Sequence, residues 1–164
     1  MKKIFITVLA LNFYFSSITA ENKLENEAVQ LLQAYLQVDT ISPPGNESRA
    51  VDFLGNVFDQ EGIKYDSAES DKGRGNIWAR LKGGDKPALI LLHHSDVVPA
   101  NEEYWDFDPL SGEIVDGYIQ GRGALDMEGT GISHLANFRR LHRSNKKLNL
   151  SLIHISEPTR LRTI

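Results

Sequence analysis

The chain contains no cysteine in 164 residues. That absence excludes a disulfide scaffold, a cysteine zinc finger, a thiol nucleophile and lipid attachment at a cysteine. A basic excess is missing too: 18 Lys and Arg stand against 22 Asp and Glu, a formal charge of −4. A nucleic-acid binder would normally show a basic face, so no nucleic-acid partner is expected. No internal repeat or low-complexity tract is present. Apolar residues are plentiful at 41%, enough for a core and too many for a disordered tail.

The two ends read differently from the middle. Residues 1–20 have the layout of a secretory signal peptide, with Lys2 and Lys3 as a basic start, Ile4 to Leu11 as the apolar stretch and Ser16 to Ala20 as a small-residue cleavage zone. Asn12 interrupts the apolar run well short of the ~20 residues a spanning helix needs, so no stable membrane anchor is expected. Export to a periplasm or the outside is the expectation, and the mature remainder carries 16 basic against 22 acidic groups, or −6. At the other end, Leu148 to Ile155 alternates like a half-buried strand. However, Leu150 to Arg160 resembles the translation of a transposase adapter used in preparing sequencing libraries, matching one reading frame at all eleven residues. Residues 150–164 are therefore read as a non-native tail, which leaves residues 21–149 as native mature chain.

Between these ends, Leu24 to Val38 places Ala28, Leu31, Leu32, Tyr35 and Leu36 at helical spacing. Ser42-Pro43-Pro44-Gly45 stops that helix. Val51, Leu54, Val57 and Phe58 mark a second helix, with Asn46 or Ser48 as its cap and Gly62 past its end. Short strands are expected at Ile63–Tyr65, Asn76–Leu81 and Tyr118–Gln120. The run Pro87 to Leu92 is apolar on both faces, the pattern of a strand inside a covered sheet. Met127 to Arg143 reads as a third helix. Helices alternating with a buried strand indicate an α/β layered domain.

Two segments carry candidate chemistry. In Leu91 to Pro99 a strand delivers His93, His94 and Asp96 at its carboxyl end, where open α/β sheets bind ligands. Alternation sends His93 and His94 to opposite faces and lets His94 share one with Asp96. A His-x-Asp pair suits a metal site, but by itself it is more often a hydrogen-bonded histidine at a strand end. In Gly121 to Gly129 a glycine-rich turn brings Asp126 to a helix start. There a carboxylate either caps the helix or bridges two cations about 3.5–4 Å apart.

Taken together and in order, His94-Ser95-Asp96-Val97-Val98-Pro99, Trp105, Asp108-Pro109, Gly112, Gly117 and Gly121-Arg122-Gly123-Ala124-x-Asp126-Met127-x-Gly129 resemble the co-catalytic di-zinc metallopeptidase and aminoacylase family. That family includes acetylornithine deacetylase, succinyl-diaminopimelate desuccinylase and glutamate carboxypeptidase. The likeness extends more loosely over Leu24 to Leu148. Leu110, Gln120 and Glu128 depart from it, standing where an aromatic, tyrosine and lysine are common.

The resemblance implies a three-layer zinc-exopeptidase-like α/β catalytic domain, interrupted by a smaller lid domain that mediates dimerisation. This chain carries only the N-terminal part and no lid, so a homodimer is an expectation for the intact protein. His94 would ligate one zinc, Asp126 would bridge both, and Asp96 would orient the His94 imidazole. The implied reaction is zinc-dependent hydrolysis of a peptide or N-acyl amino acid amide bond, with cobalt as a substitute metal. The family's Glu-Glu pair, general base then ligand, does not follow Asn149, and Glu157 stands alone beside Pro158. Two ligands cannot close a site in which each zinc wants about four donors, so the fragment is expected to be inactive. The alternative is a non-catalytic relative that binds peptide or metal. His134 and His142 read as ordinary helix residues, His154 carries no weight, and the basic cluster from Arg139 to Lys147 reads as a solvated helix end.

Overall fold

A computed structural model describes residues 23–159; residues 1–20, read above as an export signal, and residues 160–164 lie outside them. A first helix, α1, covers residues 23–36. Helix α2 spans Ser48–Glu61 and ends at Gly62, whose φ of +66° belongs to the left-handed region where glycine carries no Cβ penalty. Neither expected cap is used. Glu47 occupies the cap position without a side-chain bond, and the Ser48 hydroxyl instead donates to Glu69. Ile63 lies just past the end of α2 and in no strand, its N–H bonding the Phe58 carbonyl. The first strand therefore starts later than expected, as β1 at Tyr65–Glu69.

Strands β2 (Gly75–Leu81), β3 (Lys86–His94) and β6 (Leu150–Glu157) join β1 in a four-stranded sheet of order β1-β2-β6-β3. A two-residue hairpin of β4 (Ile114–Val115) and β5 (Tyr118–Ile119) lies apart. Helix α3, Gly129–Ser144, connects β3 to β6, and these two strands run parallel. The strand pattern of the carboxyl-terminal segment is thus realised in the middle of the sheet, with ladders to β2 on one side and β3 on the other.

Register shows which face the helices cover. Ile77, Ala79, Leu152, His154 and Leu91 share one side of the sheet, and α1, α2 and α3 bury Tyr35, Leu54, Phe58, Ile132, Leu135 and Phe138 against it. Trp78, Ile90, Leu92, Ile153 and Ile155 share the other side, where Ile90 and Leu92 are about half exposed. The expectation that Pro87 to Leu92 is covered on both faces is corrected. Among the described residues β3 is an edge strand, and the helical layer lies on one side only.

The basic end of α3 is also different from its sequence reading. Arg139 is buried, and with Arg143 it binds the carboxylates of Glu61 and Glu27. Arg139 and Arg143 thus tie α1, the end of α2 and α3 together, while Arg140, Lys146 and Lys147 are exposed as the sequence reading expects. His142 contributes a contact to the Glu61 carbonyl at 3.1 Å.

His154 is the least well matched core residue. Its ring is fully buried among Phe58, Phe138 and His93, with centroids 5.3–5.9 Å away, and neither nitrogen has a hydrogen-bond partner. Burial pushes its pKa down to about 4, so the ring is neutral at pH 7. Two unmet polar atoms in a nonpolar site each carry a desolvation penalty. His154→Leu is expected to raise stability by about 1–2 kcal/mol at pH 7, read from the urea midpoint. The stability wild type loses between pH 6.5 and about 4, as the unfolded histidine takes up a proton the folded one refuses, should be reduced in the variant. A variant no more stable than wild type refutes this account.

Candidate metal centre

Strand β3 ends where its two histidines diverge, as alternation predicts. His93 turns under α3, which crosses so closely at Gly131 that a Cβ there would collide with the His93 ring. Its Nε2 lies 3.3 Å from the Tyr35 hydroxyl, and burial lowers its pKa to about 3. His94 turns to the open face, 26% exposed.

Asp126 reaches His94 from a different part of the chain. It sits in a wide turn, Ala124–Glu128, with non-helical φ/ψ of −128°/92°, so it does not cap α3. Gly123 opens that turn at φ +91°, and a Cβ there would meet Val97 and the Glu128 carboxylate. Glycine is therefore required at 123; Gly121 adopts no such conformation. The result is His94 Nε2 at 3.0 Å from Asp126 Oδ1, across 32 residues of sequence.

The position of Asp96 differs in detail from its expected one. Its carbonyl, not its carboxylate, makes the close contact with His94 Nδ1, at 3.0 Å against 3.6 Å for Oδ1. The carboxylate instead accepts the Thr159 amide at 2.5 Å. Asp96 lies past the end of β3 at His94, and its side chain still stands beside the imidazole, within 3.6 Å of Nδ1. A carbonyl at Nδ1 fixes the proton on that nitrogen and leaves the Nε2 lone pair toward Asp126.

This donor pair fits a metal ion. Two donors on one tetrahedral zinc, each bonded at ~2.0 Å, stand ~3.3 Å apart, and the observed 3.0 Å is close to that. Asp126 remains 90% exposed and retains a second oxygen for another cation. The set is incomplete, because the described residues contain no group of three or more potential ligands. Glu157 pairs in register with His94 at the adjacent strand end, a placement its isolation in sequence did not reveal.

Residues other than the ligand candidates complete the surroundings. A pocket of about 600 Å³ holds His94, Asp96 and Asp126 together with Ser42, Trp105, Phe107, Arg122 and Thr159. Trp105 and Phe107 meet edge to face at 5.2 Å, and the Arg122 guanidinium lies 4.9 Å over the Trp105 ring. Tyr104, next to Trp105, is 81% exposed and takes no part. Behind the turn, Glu128 is buried and its pKa is pushed up to about 9, so it stays protonated and adds no charge to the centre.

Residues 90–158 match the profile of Peptidase family M20/M25/M40. Over those residues the chain is similar to this family. M20 relatives bear out the resemblance drawn from the two motif segments. The chain is 38% identical over 121 residues to aminoacylase-1 of Sus scrofa, covering 71% of this chain and 30% of that protein. It is 34% identical over 110 residues to succinyl-diaminopimelate desuccinylase of Methylorubrum extorquens, covering 64% and 28%. The M20 family metallo-carboxypeptidase Sso-CP2 of Sulfolobus solfataricus superposes with a TM-score of 0.69 at 28% identity, over 80% of this chain and 30% of that one. The α/β architecture is thus that of M20 catalytic domains, and the chain spans about 30% of the length of these relatives.

Proposed function

We propose that the complete polypeptide is a zinc-dependent hydrolase of peptide or N-acyl amino acid amide bonds, and that this chain supplies its first ligand, His94, and its bridging ligand, Asp126. The 3.0 Å approach of the two side chains at the carboxyl end of β3 carries the reading. The Asp96 carbonyl holds the His94 ring in the tautomer that leaves Nε2 free, and Trp105 and Phe107 form an aromatic wall of the same pocket. When bound, paired zinc ions supply Lewis acidity toward the amide carbonyl and the attacking water. No general base is assigned in this chain, so its own turnover is expected to be absent. Substrates would be small peptides or N-acyl amino acids, with neither nucleic acid nor membrane as partner, and the intact protein would be a homodimer.

The same reading takes residues 1–20 as an export signal and residues 150–164 as foreign to the gene. The unpartnered His154 nitrogens and Ser156 hydroxyl support the second point, since a strand selected for this slot would carry apolar residues there. Sequencing the locus beyond the Asn149 codon is expected to yield a Glu-Glu pair and later a histidine; their absence favours the non-catalytic alternative.

Calorimetric titration with Zn²⁺ tests the centre directly. His94→Ala and Asp126→Ala are each expected to weaken zinc binding by at least ~10-fold, the scale at which even supporting residues act. Undiminished affinity in His94→Ala refutes the site, and zinc-dependent hydrolysis of N-acetylmethionine by the purified chain refutes its inactivity.

A further inference from the structure

The basic stretch after α3 holds two cations that Glu27 and Glu61 do not absorb. Lys146 and Lys147 meet Lys64, just past α2, and Arg80 and Lys82, on either side of Leu81, around one hollow of about 490 Å³. That volume suits a small molecule. Five cations line the hollow and no aspartate or glutamate does. None of the five is in an ion pair among the described residues. Arg80 is steadied by donation to the Ser151 hydroxyl at 2.8 Å. Leu81, Leu141 and Leu148, each half-buried, add apolar wall between the charges.

Helix ends explain only part of this gathering. Helix α2 closes at Gly62 and α3 at Asn145, both on the hollow. Each carboxyl-terminal end carries about half a negative charge, so the two offset about one of the five cations. Asp59 and Asp66 line the adjoining hollow, which shares Lys64 and Arg80, and act only at longer range. Roughly two to four positive charges stay uncompensated, in a chain whose formal charge is −4.

The hollow is separate from the metal centre. Leu81 pairs with Leu152 at the amino end of β6, whereas His94 pairs with Glu157 at its carboxyl end. The two pockets share no lining residue, and the nine residues of β3 set ~25 Å between those ends of the sheet. All the residues that line the hollow fall between 62 and 148, outside the segment read as foreign.

We propose that this hollow binds a small soluble molecule carrying two or three neighbouring phosphates on an apolar or aromatic body. A phosphate monoester carries about −1.5 to −2 at neutral pH, so two or three phosphates match the uncompensated charge. Four of the five cations are lysines, compact point charges that suit clustered phosphate oxygens; a planar carboxylate is better met by the arginine fork. The leucine wall receives the body to which the phosphates are attached.

Isothermal titration calorimetry of the full chain with ATP tests the site, with Zn²⁺ left out so that no metal at His94 and Asp126 offers phosphate a second place. ATP is expected to bind once per chain, at least ~10-fold more tightly than inorganic phosphate, and more weakly as salt rises from ~50 to ~200 mM. The triple variant Lys82→Ala, Lys146→Ala, Lys147→Ala is expected to lose about 10-fold in ATP affinity, since each exposed ion pair contributes a few-fold. A control triple, Lys23→Ala, Lys72→Ala, Arg140→Ala, removes the same charge away from the hollow and is expected to change affinity by less than ~2-fold. All six side chains are exposed, so both variants should melt with the parent by circular dichroism. No saturable ATP binding, ATP no tighter than inorganic phosphate, or an equal loss in both variants overturns the site. Binding to phosphatidylglycerol vesicles that the first triple loses, in a parent that does not bind ATP, gives the cluster to a membrane surface and overturns it as well.

Discussion

A chain ending at Asn149 is expected to lose its cooperative unfolding transition. Strand β6 lies between β2 and β3, and the only ladders joining those two strands among the described residues pass through it. Its Ser151, Leu152, His154 and Ser156 are all buried. Removing it exposes the inner surfaces of α2 and α3, including Phe58 and Phe138, and leaves the amides of two strands unpaired. That loss exceeds the ~5–15 kcal/mol by which domains are ordinarily stable. Thermal unfolding followed by circular dichroism should give a broad, non-sigmoidal trace; a sharp transition within a few degrees of the full chain would falsify the placement of β6. The gene's own residues in this slot should restore the transition and exceed the stability given by the present ones, since they need not bury an unpaired imidazole.

Glu61→Gln is expected to cost about 2–4 kcal/mol at neutral pH, because it leaves Arg139, 10% exposed, short of its principal carboxylate. Hydrogen bonds from Arg143, then from Arg139, hold the Glu61 pKa at about 2 against the opposing effect of burial. A carboxylate depressed in the folded state contributes stability that is complete above its unfolded pKa, near 4.5, and lost as pH falls toward about 2. Wild type and variant should therefore converge in urea midpoint between pH 4.5 and about 2. A difference that persists undiminished at pH 2 means that packing, not charge, supplies the effect.

The legible part of this protein follows from local rules. Helical spacing located α1, α2 and α3, and glycine and proline located their interruptions, because backbone preference acts over a few residues. The ordered segments around His94 and Asp126 marked the family, and strand alternation correctly separated His93 from His94. Alternation also set Asp96 on the His94 side, and its Oδ1 lies 3.6 Å from Nδ1 although the strand has already ended at His94. The solvated reading of Arg139 and Arg143 failed because their partners lie 78–116 residues away, and charge pattern along one helix holds no record of them. Covering both faces of β3 was inferred from its apolar run, yet which face meets a helix depends on layers that the run cannot specify.

The sequence by itself determined the α/β class, the family likeness and the two ligand candidates, because periodicity and spaced motifs are written along the chain. Tertiary structure alone decided that His94 Nε2 meets Asp126 Oδ1, that a carbonyl sets the His94 tautomer and that Arg122 stands over Trp105 in the same pocket. Each of those contacts depends on where β3, the glycine turn and the aromatic loop are carried by packing against a common sheet, and distances between such elements have no local code.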